Sequence, residues 1–154
     1  MTEVSVRLNG DPRRATIVFA DESTDFEFVN IWRDQLTPES DEKTIDAVDL
    51  AQVARDNFLA HSRIQQLYAK SVEDIPAHIE AKSDCEVAGF VLIKCDWFPD
   101  SKVLGMCHFR RTWCNSIVLD YLAAYPFAKK EPEKLRGVGS ALLWFVSDIA
   151  RRLN

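Results

Sequence analysis

The sequence predicts a mixed α/β domain of the α+β kind, a mostly antiparallel sheet flanked by helices. Three observations carry that expectation. Alternating, β-branched runs open the chain. Three further strand-like runs, "CEVAGFVLIKC", "KVLGMCHFR" and "SIVLDYLAAY", follow one another with short links, which favours antiparallel pairing. Helical spacing fills the stretch between these groups and closes the sequence. At 154 residues the chain fits one domain, 1–154, with 1–36 as an extra N-terminal strand region.

The elements follow in order. "VSVRL" and "RRATIVFA" flank "NGDP", and Val4, Val6 and Leu8 alternate, so the opening reads as a β-hairpin turned by Asn-Gly. "DFEFVNIW" reads as a third extended segment. In "LTPES", Thr37 is a candidate N-cap and Pro38 a first helical residue, with Thr44 as a second possible start. The helix that follows carries Ala47, Leu50, Ala51, Ala54, Phe58 and His61 at spacings of three and four. A shorter helix covers part of "VEDIPAHIEAK". The three later strands come next, the last two joined by a turn around "RTWCN", and a final helix runs from about Gly137 to Arg152.

Bulk properties narrow the function classes. A net charge of −5, with no basic cluster interleaved with aromatics, argues against nucleic acid and anionic membrane as partners. The start "MTEVSVRLNGDPRR" lacks the pattern of a signal peptide, and no apolar run reaches membrane-spanning length, so a cytoplasmic location is expected. Cys85, Cys95, Cys107 and Cys114 form no CxxC pair and no Cys/His ligand spacing, and they read as reduced structural residues. His61, His78 and His108 are widely spaced, so no metal site is expected.

The most informative stretch is "EKLRGVGSALLWFVSDIARRLN". Two of the chain's five glycines, Gly137 and Gly139, stand at the mouth of an apolar helix. The first amides of a helix lack acceptors and sit at the positive end of its dipole, and glycines let an anion approach them. Arg136 and Ser140 would add a positive side chain and a hydroxyl. A Walker loop is excluded because no GxxxxGK[ST] run exists. A Rossmann turn is excluded because Leu142 takes the place of its third glycine and the preceding strand ends about ten residues earlier.

"RGVGSALL" instead resembles the R/Q-x-x-G-x-G/A signature of the GNAT acetyltransferase superfamily, with Arg136, Gly139 and Ala141 on the signature positions. "LDYLAAYP" is similar to the strand that precedes that signature, and the order of two helices, three strands and a signature helix matches over roughly residues 44 to 154. The resemblance implies an acetyl-coenzyme A cosubstrate, its pantetheine arm on the backbone of Leu122, Ala123 and Ala124. It implies a diphosphate on the amides of Gly137, Val138, Gly139, Ser140 and Ala141. Lys129, Lys130 and Lys134, in "FAKKEPEKL", are either further phosphate contacts or solvated surface.

Acetyl transfer to an amine needs a base, and Asp120 is the candidate. Strand alternation places it on one face with Val118, Leu122 and Ala124, and places Ile117, Leu119 and Tyr121 on the other. Either it is a carboxylate among apolar neighbours, tuned to deprotonate an ammonium group, or it pairs with Arg110, Arg111 or Lys102. Tyr121 and Tyr125 read as packing, His108 as a hydrogen-bonded structural residue within reach of the same cleft, and His61 as core or pocket lining.

Against the family pattern the chain reads as C-terminally truncated, because the strand, tyrosine-bearing helix and last strands that usually follow the signature helix are absent before Asn154. An exposed edge beside "SIVLDYLAAY" is therefore expected, left by a fragment, completed by a partner, or filled by the N-terminal strands. The last helix buries Val138, Leu142, Phe145, Ile149 and Leu153, widened by Leu143, Val146 and Ala150, and leaves Trp144 on the other side. Trp144 and the open edge together suggest a homodimer contact. The functional expectations are an N-acetyltransferase for a small or protein amine, a catalytically silent module binding coenzyme A or a partner, or a plain structural domain.

Overall fold

The computed structural model describes residues 1–61, 67–81, 86–112, 114, 116–127 and 134–153. The fold is mixed α+β. Strands β1 (Thr2–Leu8) and β2 (Asp11–Phe19) make the opening hairpin, with Leu8 opposite Asp11. Asn9 and Gly10 take φ of 53° and 87°, the positive values that a two-residue turn matched to strand twist requires.

"DFEFVNIW" is not extended. A 3-10 turn, Ser23–Phe26, runs into helix α1 (Glu27–Asp34). Phe26 and Val29, like Phe28 and Trp32, are buried at helical spacing, so the apolar residues that alternate like a strand also fit a helix face. The Asp25 carboxylate accepts the Asp21 and Glu22 amides at 2.9 and 3.1 Å and fixes the turn. Region 1–36 therefore holds a hairpin and a helix.

Helix α2 (Glu42–His61) begins at neither expected cap. The Asp41 carboxylate accepts the Thr44 amide at 2.8 Å and serves as N-cap. Thr37 and Ser40 close a separate turn. Val48, Ala51, Ala54 and Phe58 form the buried stripe of α2, while Ala47 and Leu50 are half-buried. The side chain of His61 lies outside the described residues.

Then come β3 (Leu67–Tyr68), α3 (Asp74–Ala81), β4 (Val87–Lys94), β5 (Val103–Arg111), β6 (Ile117–Ala124), β7 (Leu135–Arg136) and α4 (Val138–Leu153). The sheet order is β6-β5-β4-β2-β1-β7, with β3 also pairing β4. The β3–β4 ladder is parallel and the others are antiparallel. Strand β4 is buried along almost its whole length because helices cover both faces.

On one face, Phe26, Phe58 and Phe90 pack as a cluster under α1 and α2, and Trp32 meets Tyr125. On the other lies α4, touching β1 on one side and β5 and β6 on the other, so the sheet curls round it. Gly105 makes that approach possible: a Cβ there would stand 2.5 Å from Val138 Cγ1 and 3.1 Å from the Ala123 carbonyl. Leu143, expected to widen the buried stripe of α4, is 49 % exposed, as is Trp144.

The N-terminal strands do not fill the gap beside β6. They join the sheet through β2 and β4, on the side away from β6, because the open side of β4 is the one β2 reaches. Among the described residues no strand pairs with the outer edge of β6.

Gly105→Ala is expected to destabilise the fold by about 1–3 kcal/mol through overpacking. The loss should shrink in a Val138→Ala background, where the overlapping methyl is gone. Urea unfolding of the single and double variants checks both.

Candidate functional site

The site forms where β6 leaves regular register. His108 pairs with Tyr121 and Phe109 with Leu119, so Asp120 is an extra residue bulged out of β6. The bulge breaks the expected alternation. Asp120 and Tyr121 both turn to the α2 face, where each meets His108. Leu122, expected beside Asp120, goes to the α4 face, where a Cβ on Gly139 would lie 3.8 Å from it, and Ala124 follows opposite Gly105.

His108 is only 8 % exposed. Its ring lies between Phe90, Tyr68 and Tyr121, each at a centroid distance of 5.8 Å. Nδ1 is 3.0 Å from Asp120 Oδ2, and Nε2 is 3.0 Å from the Tyr68 hydroxyl. An ionised carboxylate only accepts, so Nδ1 donates to Asp120; when the ring is neutral, Nε2 accepts from the Tyr68 hydroxyl. Residues from β3, β5 and β6 thus form one chain of hydrogen bonds. Tyr121 accepts a 2.8 Å bond from Asn57 Nδ2 of α2, so it is more than packing.

Asp120 does not sit among apolar groups. Arg110 Nε bonds both of its oxygens at 3.1 Å, and Arg110 Nη1 reaches Glu86 at 3.3 Å. Of the three cations considered as partners, Arg110 bonds Asp120. Asp120 raises the Arg110 pKa through the hydrogen bond and its charge. Burial, then the Asp120 charge, pushes the Tyr68 hydroxyl up to about 12. Burial and Asp120 also push the Cys107 thiol, on the opposite face of β5, up to about 12. Cys95 is half-buried with its pKa raised by burial, whereas exposed Cys114 has its pKa lowered by hydrogen bonds with Thr112 and Ser116. Cys85, Lys129 and Lys130 lie outside the described residues.

At the front of α4, Gly137 has φ 86°, a left-handed turn that swings the chain from β7 into the helix. This conformation by itself calls for glycine here. Ala141 donates the first helical bond, to the Gly137 carbonyl at 3.0 Å, and leaves the amides of Val138, Gly139 and Ser140 ahead of it. Val138 is buried against Gly105, while Gly137 and Ser140 are exposed. Arg136 is exposed and paired with Arg7 in the β1–β7 ladder.

The residues fit a coenzyme A thioester in one respect. The Leu122–Ala124 edge of β6 has no strand on it among the described residues, and it adjoins the open front of α4. A groove of about 390 Å³ also opens at this helix end, lined by Gly137, Ser140, Ala141 and Trp144, but its other wall is β1. Trp144 therefore lies beside β1, apart from the open edge of β6.

Sequence reasoning placed His108 near the site but missed its link to Tyr68. The spacing of 40 residues gives no local signal for that bond, and only a strand at "LY" brings Tyr68 over β4. Among the described residues no group of three or more His, Cys, Asp or Glu stands ready to hold a metal, and no helix is long and apolar enough to cross a membrane. The chain matches no protein-family model, no curated protein and no solved structure.

The raised Tyr68 pKa carries a stability sign. The folded state holds that proton more tightly than the unfolded chain, so this contribution is fully present below pH 10.0 and is lost as pH rises toward about 12. A spectrophotometric titration should show a late tyrosine ionisation that disappears in Tyr68→Phe. The variant should lose less stability across that window than the parent.

Proposed function

We propose that the protein is an acetyl-coenzyme A-dependent N-acetyltransferase. The observation that carries this reading is the Asp120–His108–Tyr68 hydrogen-bond chain, set on the strand whose outer edge runs to the open front of α4. The sequence resemblance to GNAT enzymes points the same way, with "RGVGSALL" entering the helix after the bulged strand.

In this reading Tyr68 meets the acceptor amine. The acceptor first releases its ammonium proton to solvent; as the neutral amine attacks the thioester carbonyl, Tyr68 takes the next proton and passes its own hydroxyl proton to His108 Nε2. Asp120 stabilises the imidazolium through Nδ1–H, and Arg110 holds Asp120 in place. When the carbon–sulfur bond breaks, the proton returns through Tyr68 to the departing thiolate, so His108 ends the cycle neutral. Asp120 thus works through His108 rather than on the amine directly. The backbone of Leu122, Ala123 and Ala124 binds the pantetheine arm. Arg136 and the amides of Gly137, Val138, Gly139 and Ser140 hold the diphosphate, while the Ala141 amide closes the first helical turn behind them.

The acceptor is an amine of a small molecule or a protein, and the protein's negative charge suits a cationic one. The setting is cytoplasmic, without nucleic acid or membrane. A homodimer is compatible with this chemistry on the β6 side, since β1 and Trp144 lie away from β6, while the groove beside β1 shares Gly137, Ser140 and Ala141 with the diphosphate seat. The second reading, a catalytically silent module that binds coenzyme A or a partner, is favoured by one observation: Arg110 and His108 together engage both oxygens of Asp120.

Titration calorimetry with acetyl-coenzyme A should give heat at submillimolar ligand, and no heat would remove the cosubstrate. A thiol-release assay over a panel of amines should then show turnover; binding without turnover would select the silent module. His108→Ala is expected to cut turnover by roughly 10²–10⁴-fold while sparing the calorimetric signal.

A further inference from the structure

Strand β7 covers only the end of β1. It pairs Arg136 with Arg7 and Leu135 with Leu8, and Gly137 then carries the chain away into α4. From Thr2 to Val6 no strand pairs with the outer side of β1 among the described residues. We propose that this open edge, with Trp144 beside it, is a two-fold interface at which a second copy of this chain pairs its own β1 antiparallel. The proposal is independent of the chemistry at His108.

The backbone selects the register. The Asn9 amide donates outward to the Lys134 carbonyl at 2.9 Å. Peptide groups alternate along a strand, so those of Arg7, Ser5 and Glu3 also aim outward, while Leu8, Val6 and Val4 aim toward β2. Arg7 is already taken by Arg136, which leaves Glu3 and Ser5 presenting their N–H and C=O groups. An antiparallel copy centred on Val4 sets Glu3 opposite Ser5 on both sides of the axis. Every one of those backbone groups then gains a partner. A register centred one residue later would drive the partner strand into β7.

The side chains agree with that register. Val4 meets Val4 across the axis and Thr2 meets Val6. Glu3 of each copy, paired with Arg14 of its own chain at 3.2 Å, lies diagonal both to Glu3 and to Arg7 of the other, so Arg7 joins Arg14 in balancing the two carboxylates. The surface is therefore complementary to itself, as a two-fold contact demands, and this favours a second copy over a foreign strand. The axis runs normal to the sheet, so both α4 helices lie on one face. Gly137, Ser140, Ala141 and Trp144 share one side of α4 and wall the groove of about 390 Å³ along β1. Trp144, 49 % exposed in the single chain, becomes covered beside the joined strands.

Sedimentation velocity on the full chain should show a dimer, and Trp144→Ser should shift it to monomer with an unchanged circular dichroism spectrum. Glu3→Arg and Arg7→Glu should each weaken the dimer, and the two together should restore it. Oxidation of a Val4→Cys chain should give a covalent dimer that the parent does not give. A parent that stays monomeric into the millimolar range overturns the proposal. So does a dimer indifferent to Trp144→Ser and to the charge swap that Val4→Cys fails to trap, since that contact uses another face. If Trp144→Ser does not fold, the charge swap and the cross-link decide.

Discussion

One residue too many in β6 governs the arrangement on both faces of the sheet. Opposite the His108–Phe109 step, β6 supplies Asp120 as well as Tyr121 and Leu119, and the ladder absorbs the excess as a bulge. The side chains after it change face. Tyr121 joins His108 under α2, and Leu122 is delivered to α4, where it packs beside Gly139. Without that slip, the strand would offer Leu122 to the polar face and Tyr121 to the helix packed on Gly105.

The bulge also explains how a charged cluster survives beside an aromatic core. Burying His108 among Phe90, Tyr68 and Tyr121 is tolerable because both ring nitrogens have partners. Burying part of Asp120 is tolerable because Arg110, on the neighbouring strand, binds both oxygens and remains largely at the surface. The cluster therefore runs from solvent at Glu86 and Arg110 inward to Tyr68. A proton passed from Tyr68 to His108 would leave an imidazolium facing the Asp120 carboxylate, so the charge formed in the aromatic-lined interior would not stand uncompensated.

Much of the architecture was legible because the hydrophobic pattern is strong. The apolar run of β4, the two strands after it and the stripe of α4 all stand where periodicity put them. The errors share one physical origin, that short-range pattern is degenerate. "DFEFVNIW" satisfies strand alternation and helix spacing together, and the Asp25 bonds to the Asp21 and Glu22 amides tip it to helix. Alternation in β6 assumed an unbroken ladder, and nothing local in "VLDYLAA" announces the extra residue. The tie between Tyr68 and His108 depends on a two-residue strand whose partner is distant in sequence, so periodicity carried no trace of it. Gly137, singled out for the approach of an anion, also has a left-handed backbone that calls for glycine, whereas the need for Gly105 comes from Val138, distant in sequence, and left no local trace.

The β2–β4 seam has a consequence for how the molecule assembles. Strands β1 and β2, and separately β4, β5 and β6, are joined through near neighbours and can form as two local units. Residues Thr16 to Phe19 meet Val91 to Lys94 only after the whole intervening helical segment has been drawn into a closed loop. The entropy of that closure falls on a ladder of four residue pairs, so the kinetic barrier should concentrate at the seam, with both meanders already in place when the chain crosses it.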